Sequence, residues 1–154
     1  MLKAKYWITS GLLLAVLYLM SFVSYLISLI NQILMEVFDS FSQWILYYIV
    51  SLILNLFVNF IMLCYFHLWL GEKKIKLNLD WQSIKSALLT TLILFIYYNT
   101  LILINFYSKY FINVDIMAIN YRLSPIAFIY FLVFCSFFYF LFDNFRLTRK
   151  WYNR

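Results

Sequence analysis

Four apolar blocks occupy most of this chain, and each is as long as a helix that crosses a bilayer. They run over residues 7–30, 44–70, 86–107 and 123–142. About 20 residues at 1.5 Å each are needed to cross the ~30 Å hydrocarbon core. Once inside lipid, backbone amides have no water to bond, so the blocks must be helical. The sequence therefore predicts an all-α integral membrane protein with four transmembrane helices in an antiparallel bundle. Two thirds of the 154 residues are apolar or aromatic, and the mean hydropathy is +0.88. Only 12% are charged, half the share of a soluble domain, and no polar stretch is long enough to hold a core of its own. Residues 1–154 read as one membrane domain. Lys3 and Lys5 resemble the start of a signal peptide. The apolar run behind them, however, is far longer than a cleavable segment and lacks a small-residue cleavage site, so the first block is expected to be retained.

Charge sets the expected orientation. Lys3 and Lys5 precede the first block. Lys73, Lys74, Lys76 and Lys85 lie between the second and third. Arg146, Arg149, Lys150 and Arg154 follow the fourth. With four spans these all fall on one side, against Lys109 and Arg122 on the other. The positive-inside rule then puts both termini on the cytoplasmic or matrix side of a bacterial or organellar inner membrane. Lys73, Lys74, Lys76, Arg146, Arg149 and Lys150 are candidates for anionic headgroup contact. They form short scattered clusters without a recognition fold, so nucleic-acid binding is not expected. The chain has 17 Phe and 14 Tyr but 2 Gly and 1 Pro, a bias that fits an AT-rich genome.

Polar residues inside the blocks are few and patterned. Ser21, Ser24, Ser28 and Asn31 recur on one face of the first helix, and Ser51, Asn55 and Asn59 recur every four residues in the second. A bare amide in hydrocarbon costs several kcal/mol. These seven residues are therefore expected to serve as helix-packing contacts. Tyr97 and Tyr98 lie mid-depth in the third block, where Asn55 or Asn59 could meet their hydroxyls. Tyr6 and Trp7 are placed for the aromatic belt.

The polar segment 31–43 has apolar residues at helical spacing. It predicts a short outer amphipathic helix or an extension of the first span, with Glu36 and Asp39 facing water. Asp80 is placed to cap a helix starting at Trp81. The fourth block carries aromatics on every face, and Phe131, Phe134, Phe138 and Phe142 are its candidates for a partner or lipid face. The tail from Asp143 reads as a basic interface anchor.

Catalytic and transport chemistry leave little trace. None of the six acids lies within a block, and His67 is the single histidine. Haem or metal bound through His67 is not expected without a second strong ligand, and no cofactor is expected. Cys64 and Cys135 lie at similar depth without a C-x-x-C motif and read as free buried thiols. Coupled transport normally needs an ionisable residue at depth or broken helices. The expected function is therefore that of a non-catalytic accessory subunit of a larger membrane complex. It would act through helix–helix contacts with lipid, with other membrane subunits or with a second copy. A membrane-embedded immunity protein against a pore-forming toxin, and a small transporter or channel, are the alternatives.

Overall fold

The computed structural model describes residues 3–35, 41–72, 78–112 and 125–147. These residues are helical almost throughout. Helix α1 spans Ala4–Met35, α2 Phe41–Glu72, α3 Trp81–Tyr107 and α4 Pro125–Asn144. All four contain stretches long and apolar enough to cross a membrane.

Their ends have local causes. Asp80 is extended, and its carboxylate accepts the Ser83 amide at 2.8 Å, capping α3 where the sequence places the cap. Pro125 opens α4, where a missing N–H costs least. Past Asn144 the Leu147 amide bonds the Phe142 carbonyl at 2.7 Å and the Arg146 amide bonds the Asp143 carbonyl at 3.0 Å. This is a Schellman stop, with Arg146 at φ 52° in the left-handed position that usually holds glycine. Beyond Tyr107 the backbone widens into a π-helical turn, Ser108–Ile112, that lengthens α3.

The helices outrun their apolar blocks. Residues 31–35 continue α1 and residues 41–43 open α2. Among the described residues, then, no separate amphipathic helix lies between the two spans; most of that segment is spent extending them. Glu36 and Asp39 lie outside the described residues. At 32 residues each, α1 and α2 are about 48 Å long, against about 30 Å for the 20 residues of α4. They exceed the hydrocarbon core, which a helix accommodates by tilting or by emerging from it.

Packing follows a ring: α1 touches α2 and α4, and α3 touches α2 and α4. The core is confined to one end. It gathers Tyr6 and Leu13 of α1, Leu63, Cys64, Phe66 and Leu70 of α2, Ala87, Ile93, Leu94 and Tyr97 of α3, and Phe131, Cys135 and Tyr139 of α4. We call this end the base. Small side chains let the helices close there: Thr9, Ser10, Ser83, Ser86, Ala87, Thr90 and Ser136 are at most 1% exposed. Toward the other end no described side chain of α1 beyond Leu13, or of α2 before Leu63, is buried.

The inner face of α4 differs from the expected assignment. Phe131 is buried, and Phe134, Phe138 and Phe142 pack partly buried against the core. This row is therefore the core face of α4, not its outward one. The reason lies between the aromatics: Cys135 and Ser136, both fully buried, are the small residues that allow close approach. The exposed aromatics of α4 are Phe128 and Phe137.

Candidate functional site

Two polar arrangements stand out, one at the base and one along the far half of the α1–α2 seam. At the base, Lys5 and Asp143 form an ion pair at 3.0 Å, with side chains only 13% and 10% exposed. The Tyr6 hydroxyl donates to the same carboxylate oxygen at 2.8 Å, and the Lys5 ammonium stands 4.7 Å from the Tyr6 ring centre. Each charge sits at the unfavourable pole of its own helix, a cation at the start of α1 and an anion at the end of α4. Their positions make sense only as a pair joining the two helix ends. Tyr6 is thus buried in this clamp, and Asp143 is its anchor and not the start of a surface tail.

One turn further in, Ser10 and Ser136 meet at 3.0 Å and both hydroxyls reach the Tyr6 carbonyl, at 2.9 and 3.3 Å. Across the base, Thr90 links three helices. Its hydroxyl donates to the Ser86 carbonyl at 2.9 Å and meets His67 Nε2 at 2.5 Å and the Tyr139 hydroxyl at 3.2 Å. A threonine has one proton and two lone pairs. The single Thr90 proton can serve one of these contacts, and its lone pairs accept in the other two. The ring of His67 packs edge-on against Phe66, 5.1 Å between centres.

The His67–Thr90 pair superficially resembles a base beside a nucleophile. Thr90 is fully buried, its hydroxyl also lies against the Ser86 carbonyl of its own helix, and among the described residues no carboxylate is seen to contact the imidazole. The arrangement is built to hold α2, α3 and α4 together. Among the described residues, no three His, Cys, Asp or Glu side chains converge as a metal would need. Cys64 and Cys135 are free and fully buried. A membrane-permeant maleimide should therefore label neither thiol in intact membranes and both after denaturation, as read by intact mass.

Along the far seam, the expected packing residues separate into two groups. The Ser24 hydroxyl donates to Asn55 Oδ1 at 2.8 Å, and Asn59 Nδ2 donates to Asn55 Oδ1 at 3.0 Å and to Ser24 at 3.4 Å. Asn31 Nδ2 donates to Ser51, and the Tyr47 hydroxyl donates to Asn31 Oδ1 at 2.6 Å. Ser24, Asn31, Ser51, Asn55 and Asn59 are thus brought together across α1 and α2. Ser28 instead turns back to the Tyr25 carbonyl and is exposed, and Ser21 faces a recess toward α3 and α4. The asparagines serve this seam. Tyr97 packs among aromatic rings, 5.2 Å from Phe131 and 5.6 Å from Tyr130. Asn59 Oδ1 is buried without a hydrogen-bond partner among the described residues.

Tyr47 is a member that sequence reasoning missed, although it lies four residues before Ser51 on the same stripe. Of the headgroup candidates, Arg146 is described and exposed, while Lys73, Lys74, Lys76, Arg149 and Lys150 lie outside the described residues.

The class this fold defines is that of an all-helical protein with four helices suited to crossing a membrane. No family model matches the chain, and no curated protein or solved structure is found similar to it.

Proposed function

We propose that this chain is a non-catalytic, multi-pass membrane protein that works by binding other membrane helices, as an accessory subunit of a larger assembly. The observation that carries this reading is the uneven bundle. The base is clamped by buried polar contacts, whereas the far half of the α1–α2 hairpin exposes Phe22, Tyr25, Leu26, Leu52, Ile53 and Phe57 around a hydrogen-bonded seam. A two-helix arm held in register but left uncovered fits a structure completed by lipid or by a partner's helices.

The pairings support an antiparallel order. Early α1 meets late α4 at Lys5–Asp143 and Ser10–Ser136, late α1 meets early α2 at Asn31–Ser51, and α3 meets α4 at Thr90–Tyr139 and Thr100–Tyr130. Both termini then share the base. The excess of basic residues on that side supports a cytoplasmic or matrix location for it, in a bacterial or organellar inner membrane.

Two experiments bear on the arm. The double variant Asn55→Leu/Asn59→Leu removes two of the seam's three amides, leaving Asn31, and each lost bond is worth about 1–2 kcal/mol at most in lipid. It should insert normally yet lose partner assembly, as read by co-purification; unchanged assembly would remove the seam from the account. A photo-crosslinking residue placed at Phe22 or Leu52 should capture another membrane polypeptide, while one at Leu88, exposed near the base, should not. Lipid adducts alone at all three positions would overturn the partner-binding reading.

A further inference from the structure

One recess in the bundle combines aromatic walls with hydroxyl groups. It lies just beyond the core and is bounded by Leu14, Leu17, Tyr18 and Ser21 of α1, Tyr97 and Tyr98 of α3, and Ala127, Phe128 and Phe131 of α4. Its volume is about 90 Å³, and it is open on one side. Dry cavities of about 150 Å³ can hold a benzene ring. The recess is smaller than that, so a single ring would enter it only in part, through the open side, with the rest of the molecule outside.

The mouth has a defined direction. Tyr18, Tyr98 and Phe128 at its rim are 52%, 45% and 48% exposed, on helices suited to spanning the membrane. A visitor would come sideways, from the hydrocarbon. No Asp, Glu, Lys, Arg or His lines the recess, so a charged group would have no partner there and would be costly to bring in.

One hydroxyl in the recess is uncommitted. Thr9, Ser10, Ser28, Thr90, Thr91 and Thr100 all bond a carbonyl of their own helix. Ser21 makes no hydrogen bond among the described residues. In lipid, a hydroxyl without a partner gains from any acceptor that arrives.

We propose that this recess is a binding seat for the uncharged, single-ring head of a membrane-dissolved amphiphile. Ser21 donates to the head's hydroxyl or carbonyl oxygen, and the aromatic side chains of α3 and α4 wall in the ring. The ligand's hydrocarbon part lies along the exposed surface of α1 and α4. The seat borders the α1 side of the partner-binding arm but does not rest on that reading.

The test uses the full-length protein in nanodiscs and two photoreactive probes, a trifluoromethyl-phenyldiazirine and its benzyl-alcohol derivative. The benzyl-alcohol probe should label residues 14–21 and 127–131 saturably, and excess benzyl alcohol should compete. Ser21→Ala, at an exposed position, should weaken half-saturation about threefold to tenfold, the worth of one hydrogen bond. It should leave labelling by the plain probe unchanged. Ala127→Phe should abolish saturable labelling by filling the recess. If that variant misfolds, Ser21→Ala and the competition decide the matter. Labelling that is non-saturable, spread over all four helices in proportion to exposure, or indifferent to Ser21→Ala would overturn the proposal.

Discussion

Asp143→Ala is expected to lower the stability of the bundle by about 2 kcal/mol, between the values for exposed and for fully buried ion pairs, because this pair is part-buried. The loss comes less from the missing attraction than from what is left behind. The Lys5 ammonium, 13% exposed, would lose the Asp143 carboxylate, and the Tyr6 hydroxyl would lose the same acceptor. The double variant Lys5→Met/Asp143→Leu should recover most of the loss, because two apolar side chains need no partners. Unfolding titrations in mixed micelles, arranged as a double-mutant cycle, measure both terms. An Asp143→Ala protein within about 0.5 kcal/mol of the parent would mean that the clamp behaves as an exposed surface pair.

Thr90→Val keeps the shape of the side chain and removes the hydroxyl that joins α2, α3 and α4. His67 Nε2 and the Tyr139 hydroxyl, both buried, would then lose their shared partner. Each buried donor left without a partner costs about 1–3 kcal/mol, so a loss of about 3 kcal/mol is expected. Thr90→Ser keeps the oxygen and should cost far less. The same unfolding titration distinguishes the two variants, and equal losses would show that the methyl group, not the hydroxyl, carries the site.

Block length made the four long helices legible, because apolar runs of about the thickness of a bilayer leave few other structures. The stripe of Ser51, Asn55 and Asn59 was legible for a related reason: polar side chains in lipid must meet something, and periodicity says on which face. Other features were hidden. Asp143 sits just past the last apolar block, so nothing local separates a clamp residue from the first residue of a tail. Its partners, Lys5 and Tyr6, lie at the opposite end of the chain and read locally as a topology signal and a belt residue. In α4 the aromatics surround the helix, so hydrophobicity selects no inward face. The informative residues there were the small ones, Cys135 and Ser136, which mark where another backbone comes close. Residues 31–43 are amphipathic, and that pattern fits an interfacial helix as well as an extended span. Among the described residues, 31–35 continue α1 and 41–43 open α2.

The proposed partner binding requires other membrane helices to complete the uncovered α1–α2 arm. The most direct test is the native mass of the tagged protein, extracted from its own membrane in mild detergent, with every co-purifying chain identified. A stable assembly of fixed composition, much larger than two copies of this chain, is the predicted result. A mass of one or two copies with no other polypeptide attached would contradict it.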